Sequence, residues 1–123
     1  ILAFEGEDQL PVAGLGGGLA ILTFDTPGEA LEFAQVVRAR FAENGVAVRI
    51  GIDLGPVLFF LNPRGPSGIA GDPVNIASKL SEDTGVGGKI RISTRASQHM
   101  PALPGAQPFQ VSVSRVVLTG FEL

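Results

Sequence analysis

The sequence predicts an α+β domain in which a sheet rich in antiparallel pairs carries its helices on one face. Three observations lead there. Two segments repeat apolar residues at helical spacing between clear start and stop signals. Short runs of Val, Ile, Leu and Phe surround them in pairs, and Gly and Pro fall mostly between the periodic segments. Helices interspersed among hairpins favour an α+β sheet.

Each element has its own signal. Leu10–Leu15 and Leu19–Phe24 read as strands joined across Gly16-Gly17-Gly18, where glycine tolerates positive φ. Thr26-Pro27-Gly28-Glu29 reads as a capping box with Pro at the first helical position. Ala30, Phe33, Ala34, Val37 and Phe41 then share a helix face, and Gly45 is the stop. Val46–Ile52 and Val57–Leu61 follow as strands, and Arg64-Gly-Pro-Ser-Gly-Ile69 reads as a flexible connection. Asp72 is expected as the N-cap of a second helix, with Pro73 next, Val74, Ala77, Ser78 and Leu80 on or near one face, and an end near Gly85. Lys89–Ser93 is a strand with room for a short helix after it. Phe109–Val113 and Val116–Phe121 form a closing pair. This order fits a ferredoxin-like layout.

Composition narrows the function. A chain of 123 residues suits one domain spanning 1–123. The absence of cysteine excludes disulfides and thiolate metal sites. The longest apolar stretches, Leu19–Phe24 and Val57–Leu61, are far too short to span a bilayer, and no signal-peptide pattern is present. A cytoplasmic domain without membrane contact is the expectation. Net charge is −3, the basic residues are scattered, and there is no Tyr or Trp for base stacking, which argues against nucleic-acid binding. His99 is the only histidine, so neither a Ser/His/Asp triad nor a His-rich metal site is available, and it reads as an exposed loop residue.

Three motifs in register carry a family likeness. Arg49-Ile-Gly-Ile-Asp-Leu-Gly-Pro-Val57 is similar to the R-x-G-[IL]-H-x-G-x-V strand–turn–strand of class III adenylyl and guanylyl cyclases. Gly71-Asp-Pro-Val-Asn-Ile-Ala-Ser-Lys-Leu80 resembles their G-[DN]-x-V-N-x-A-[SA]-R-L helix, and Gly87-Gly-Lys-Ile-Arg-Ile-Ser93 their following strand. Gly16-Gly17-Gly18 resembles the family's G-D-G hairpin.

That resemblance implies cyclisation of a nucleoside triphosphate, with two divalent metals held by two aspartates. It also implies sites formed between two domains. The family's opening strand and first two helices, which bear the first metal Asp, have no counterpart in the 16 residues before Gly17. Relative to the family the domain is therefore expected to be N-terminally truncated and degenerate. The second metal Asp falls on Gly17, which has no ligand atom, and the base-selecting Lys and Asp fall near Ala13 and Gly68. The ribose-orienting Asn is kept as Asn75. The phosphate Arg is replaced by Lys79, which keeps the charge but loses the bidentate fork. A later phosphate Lys becomes Thr119, and the usual turn His becomes Asp53.

Other polar residues have plainer readings. Asp53 would pair with a basic residue at a dimer surface or cap its turn. Glu5, Glu7 and Asp8 read as a solvated end, and Asp25 as a structural carboxylate before the first helix. Asn75 and Lys79, four apart, remain as the remnant nucleotide contacts.

The expectation is a non-catalytic cyclase-like domain acting as a regulatory or dimerisation module in cyclic-nucleotide or related signalling. Its partner would be another cyclase-like domain, as homodimer or heterodimer, with a nucleotide as candidate ligand and no cofactor. The alternative is a fragment or complementary half-site of an active adenylate or guanylate cyclase, which would need Mg²⁺ or Mn²⁺.

Overall fold

A computed structural model of the chain describes residues 13–14 and 19–123. The Gly16-Gly17-Gly18 hairpin and the Glu5, Glu7 and Asp8 cluster lie outside them. Strand β1 (Ala13–Gly14) pairs antiparallel with β2 (Ala20–Ile21). Helix α1 (Pro27–Glu43) follows, then β3 (Arg49–Ile52), β4 (Leu58–Asn62) and β5 (Gly65–Ala70). Helix α2 (Asp72–Ser78) runs into a π turn, Lys79–Asp83. Strand β6 (Lys89–Ser93), the short α3 (Thr94–Ser97), β7 (Gln107–Val113) and β8 (Val116–Glu122) complete the order.

The central sheet has the order β3-β6-β8-β7, with β3 and β6 parallel and the other pairs antiparallel. The chain is α+β, as its sequence predicts. Helix α1 starts where expected, because the Thr26 hydroxyl accepts from the Glu29 N–H at 3.2 Å and Pro27 costs no hydrogen bond there. It buries Leu31 and Ala34 against Val48, Ile50, Ile52, Ile90 and Ile92, and Ala96 of α3 joins the same cluster.

The expectation of helices on one face holds for α1 and α3 but not for α2. Strand alternation turns Gly51 away from Ile50 and Ile52, and a Cβ there would clash with the Ala77 carbonyl oxygen and meet Leu80 Cβ at 3.0 Å. The second helix therefore packs on the opposite face, its backbone close on β3 because that strand carries glycine at the crossing.

Two local expectations need correction. The N-cap of α2 is Gly71 at φ +138°, with no side-chain cap, and Asp72 is already helical. The Asp72 carboxylate is drawn instead to Arg95. The segment read as a flexible connection is strand β5, paired antiparallel with β4 from Leu58↔Ala70 to Asn62↔Gly65, with a register shift after Phe60. Pairing supplied by β4 overrides a loop-like composition.

Candidate functional site

The polar centre of the domain forms where β3, β6 and α2 converge. The register Ile52↔Ile92 brings the next residues, Asp53 and Ser93, side by side. The Asp53 side chain is 0% exposed. It accepts from Ser93 Oγ at 2.5 Å and from Arg95 Nε at 2.8 Å on Oδ1, and from Arg95 Nη2 at 2.5 Å on Oδ2. Arg95 Nη2 also reaches Asp72 Oδ2 at 3.1 Å.

Local structure fixes each member. Ser93 Oγ also accepts from the Ala96 N–H at 3.2 Å, so the hydroxyl that touches Asp53 caps α3. Gly55 keeps the corner open, since a Cβ there would press on Pro73 Cγ at 2.8 Å and reach Arg95 Cζ at 3.5 Å. A buried carboxylate is tolerable only when charge-assisted hydrogen bonds replace its water, and this one has three. Hydrogen bonding to Asp53 holds the Arg95 guanidinium above its ordinary value, against a smaller opposing effect of partial burial. Of the two readings of Asp53, pairing with a basic residue is correct, but that residue belongs to the same chain.

Sequence reasoning missed Arg95. Its one signal, a basic residue two positions beyond a strand that ends level with Asp53, requires the parallel β3–β6 register to be known first.

The predicted nucleotide contacts lie apart from this network. The Lys79 N–H donates to the Asn75 carbonyl, so α-helical spacing persists to Lys79 before the π turn begins. Asn75 is exposed and Lys79 half-buried, and among the described residues neither side chain has a hydrogen-bond or ionic partner. Thr119 is exposed, its hydroxyl 2.9 Å from that of Thr94. Gly68 lies on β5 and Ala13 on β1. Asp25 is exposed just before α1, and His99 is exposed in the turn after α3.

Between β2, the start of α1 and the start of α2 lies an open cleft of about 110 Å³. Leu22, Phe24, Leu54, Val57 and Val74 line it with Asp53 at its edge. That is below the roughly 300–1,000 Å³ of an ordinary ligand pocket, and its walls offer a triphosphate no cation.

The divalent ions that the cyclase reaction uses need hard oxygen ligands. Among the described residues no group of three or more His, Cys, Asp or Glu could hold one. Two carboxylates, Asp53 and Asp72, converge on the Arg95 guanidinium. Among the described residues the donor set does not fit a two-metal centre.

A mixed sheet whose β3 turns sharply into a β4–β5 hairpin, followed by a Gly-Asp-Pro helix laid on glycine, defines a nucleotidyl-cyclase-like domain. The family model for the adenylate and guanylate cyclase catalytic domain matches residues 25–117, and the chain belongs to that family. The match includes Asp53, Asn75, Lys79 and Arg95 and begins after Ala13 and Gly17. No curated protein and no solved structure matches the chain. Among the described residues no helix is long and apolar enough to cross a membrane.

Proposed function

We propose that this chain is a non-catalytic cyclase-family domain serving as a regulatory or dimerisation module in intracellular, cyclic-nucleotide-related signalling. One observation carries the reading. Over the residues that match the family, the motifs that build the fold persist, while among the described residues no carboxylate cluster is present that could anchor a metal ion. Glycine at position 17 points the same way. Triphosphate cyclisation needs anchored cations to neutralise charge at the reacting phosphate, and the described residues offer no carboxylate cluster for them. The dimer face in this reading comprises the hairpins and the helix that bears Asn75. Purified chain incubated with ATP or GTP and Mn²⁺ is expected to yield no cyclic nucleotide above a protein-free blank; measurable turnover would overturn the reading.

The open Asn75 and Lys79 side chains favour a second reading, in which the chain is the complementary half-site of an active heterodimer. Mixing it with a cyclase domain that carries the metal aspartates would then produce activity absent from either alone, and Lys79→Ala would reduce it.

A further inference from the structure

Helix α1 ends in a turn that folds the chain back along its side. With Gly45 at φ +75°, the Gly45 N–H reaches the Ala42 carbonyl at 3.0 Å and the Val46 N–H reaches that of Phe41 at 2.9 Å, the pair of bonds that closes a helix through a left-handed glycine. Val46, Ala47 and Val48 then run beside the helix, and the Gly88 N–H donates to the Val48 carbonyl at 2.7 Å, which sets the far wall. The helix offers only the methyl groups of Ala39 and Ala42 to this corner. An open cleft of about 480 Å³ results, within the roughly 300–1,000 Å³ of an ordinary ligand site and larger than the one beside Asp53.

The rim leaves apolar surface in water. Val46, which lines the cleft, is 46% exposed, and Val86, next to Gly87, is 47% exposed. Gly87 lies against the same wall, since a Cβ there would stand 3.2 Å from that of Ala47. An apolar body seated between these elements would cover both valines.

Arg38 is the one charged residue that lines the cleft. Its Nη1 donates to the Leu123 carbonyl at 2.8 Å, and among the described residues its Nε–Nη2 edge has no partner. Arg95 grips Asp53 with that same edge, Nε on one oxygen and Nη2 on the other. Arg38 is thus held by one nitrogen and left without the carboxylate that its planar edge fits. The other charges in residues 38–48 and 87–89 are Arg40, Glu43 and Lys89, so three cations stand against one carboxylate in a chain of net charge −3. That local excess favours an anion. One guanidinium edge suits a single carboxylate, whereas a triphosphate would need more cations than line the cleft.

We propose that this cleft binds a carboxylate with an apolar body, the head on the Nε–Nη2 edge of Arg38 and the body over Ala39, Ala42, Val46 and Val48. The site lies away from the Asp53 corner, roughly 17 Å along the helix from Pro27 to Arg38, and does not depend on the dimerising module proposed above.

Octanoate is the probe, titrated into the ¹⁵N-labelled full chain and followed by amide shifts, with octanol as the neutral control of equal length. Saturable shifts confined to residues 38–48 and 87–89 are expected, with a Kd below about 1 mM and octanol at least about tenfold weaker. Arg38→Gln keeps an N–H donor for the Leu123 carbonyl, and Ala42→Phe fills the cleft from an exposed helix position. Each should weaken octanoate at least about tenfold, while Arg40→Gln should change it less than about threefold. A thermal melt verifies that the variants fold; were Arg38→Gln to unfold, Ala42→Phe and octanol decide alone. Octanol binding as tightly as octanoate, an unmoved Kd in either cleft variant, shifts centred on the Asp53 cleft, or no saturation by about 10 mM would each overturn the proposal. None of these outcomes bears on the dimerisation reading, which the cyclase assay and the association state test separately.

Discussion

Gly51 and Leu61 stand in the same strand–turn–strand stretch and meet opposite surroundings. At Gly51 the backbone of α2 comes so close that no side chain fits. At Leu61 the side chain is more exposed than any other large apolar residue of the β4–β5 hairpin. The first site is closed by this chain alone, and the second leaves its surface open. Packing dictates residue type in the closed part. The surfaces on which chemistry or association depends are free to change without cost to the fold.

Breaking the closed side should have the largest effect. Gly51→Ala places a Cβ against backbone, which cannot swing away as a flexible side chain would. The clash outweighs the entropic gain of replacing glycine. A loss of about 3 kcal/mol is expected from overpacking of this kind, or roughly 10 °C in Tm. A urea titration with unchanged m-value checks it. A loss under about 0.5 kcal/mol would mean that α2 does not sit tightly on β3 in solution.

An intermediate effect is expected at the junction between the two regions. Asp53→Ala removes a fully buried carboxylate with three charge-assisted hydrogen bonds. The stranded Arg95 is partly exposed and can recover water, so the cost should be about 2 kcal/mol rather than that of an uncompensated buried charge. The sign of the pH dependence follows from Arg95. Its guanidinium is held above an already high ordinary value, so its contribution is complete below that value and is lost only as pH rises through the higher folded one. The gap between wild type and Asp53→Ala should therefore stay level from about pH 7 to about pH 10. A gap that closes in that range would show that the Arg95 pair is not its source.

Legibility from sequence divides along the same line. Helix α1 was readable because Thr26, Pro27 and the spacing of Ala30, Phe33, Ala34, Val37 and Phe41 are local signals, although the buried face is Leu31, Ala34 and Val37, with Ala30, Phe33 and Phe41 only partly buried beside it. The β7–β8 pair was readable from its apolar runs, although its turn uses Ser114 and Arg115 at φ 50° and 66° without glycine. Strand β5 was not, because Gly65, Pro66 and Gly68 spell a loop until β4 supplies hydrogen-bonding partners, and the register shift between Phe60 and Leu61 accommodates them. The polar centre was half readable. Asp53 stood out as a departure at a motif position, but its partner Arg95 lies 42 residues away and is brought near only by the parallel pairing of β3 with β6. The same distant contact diverts Asp72 from the capping role its neighbours suggest.

The smallest effect belongs to the open side, and its dependence on concentration is the informative part. Leu61→Ser removes an apolar side chain that is already mostly in water, so unfolding of the dilute monomer should change by less than about 0.5 kcal/mol. Association stabilises the folded chain by mass action, so if the chain dimerises as proposed the Tm of the wild type should climb with protein concentration. Leu61→Ser should flatten that climb while leaving the dilute limit where it was. Melts across a hundredfold range of concentration separate the two cases. Parallel curves for wild type and variant would place the β4–β5 hairpin outside any interface, whereas a large loss already present in the dilute limit would mean that Leu61 is buried within its own chain.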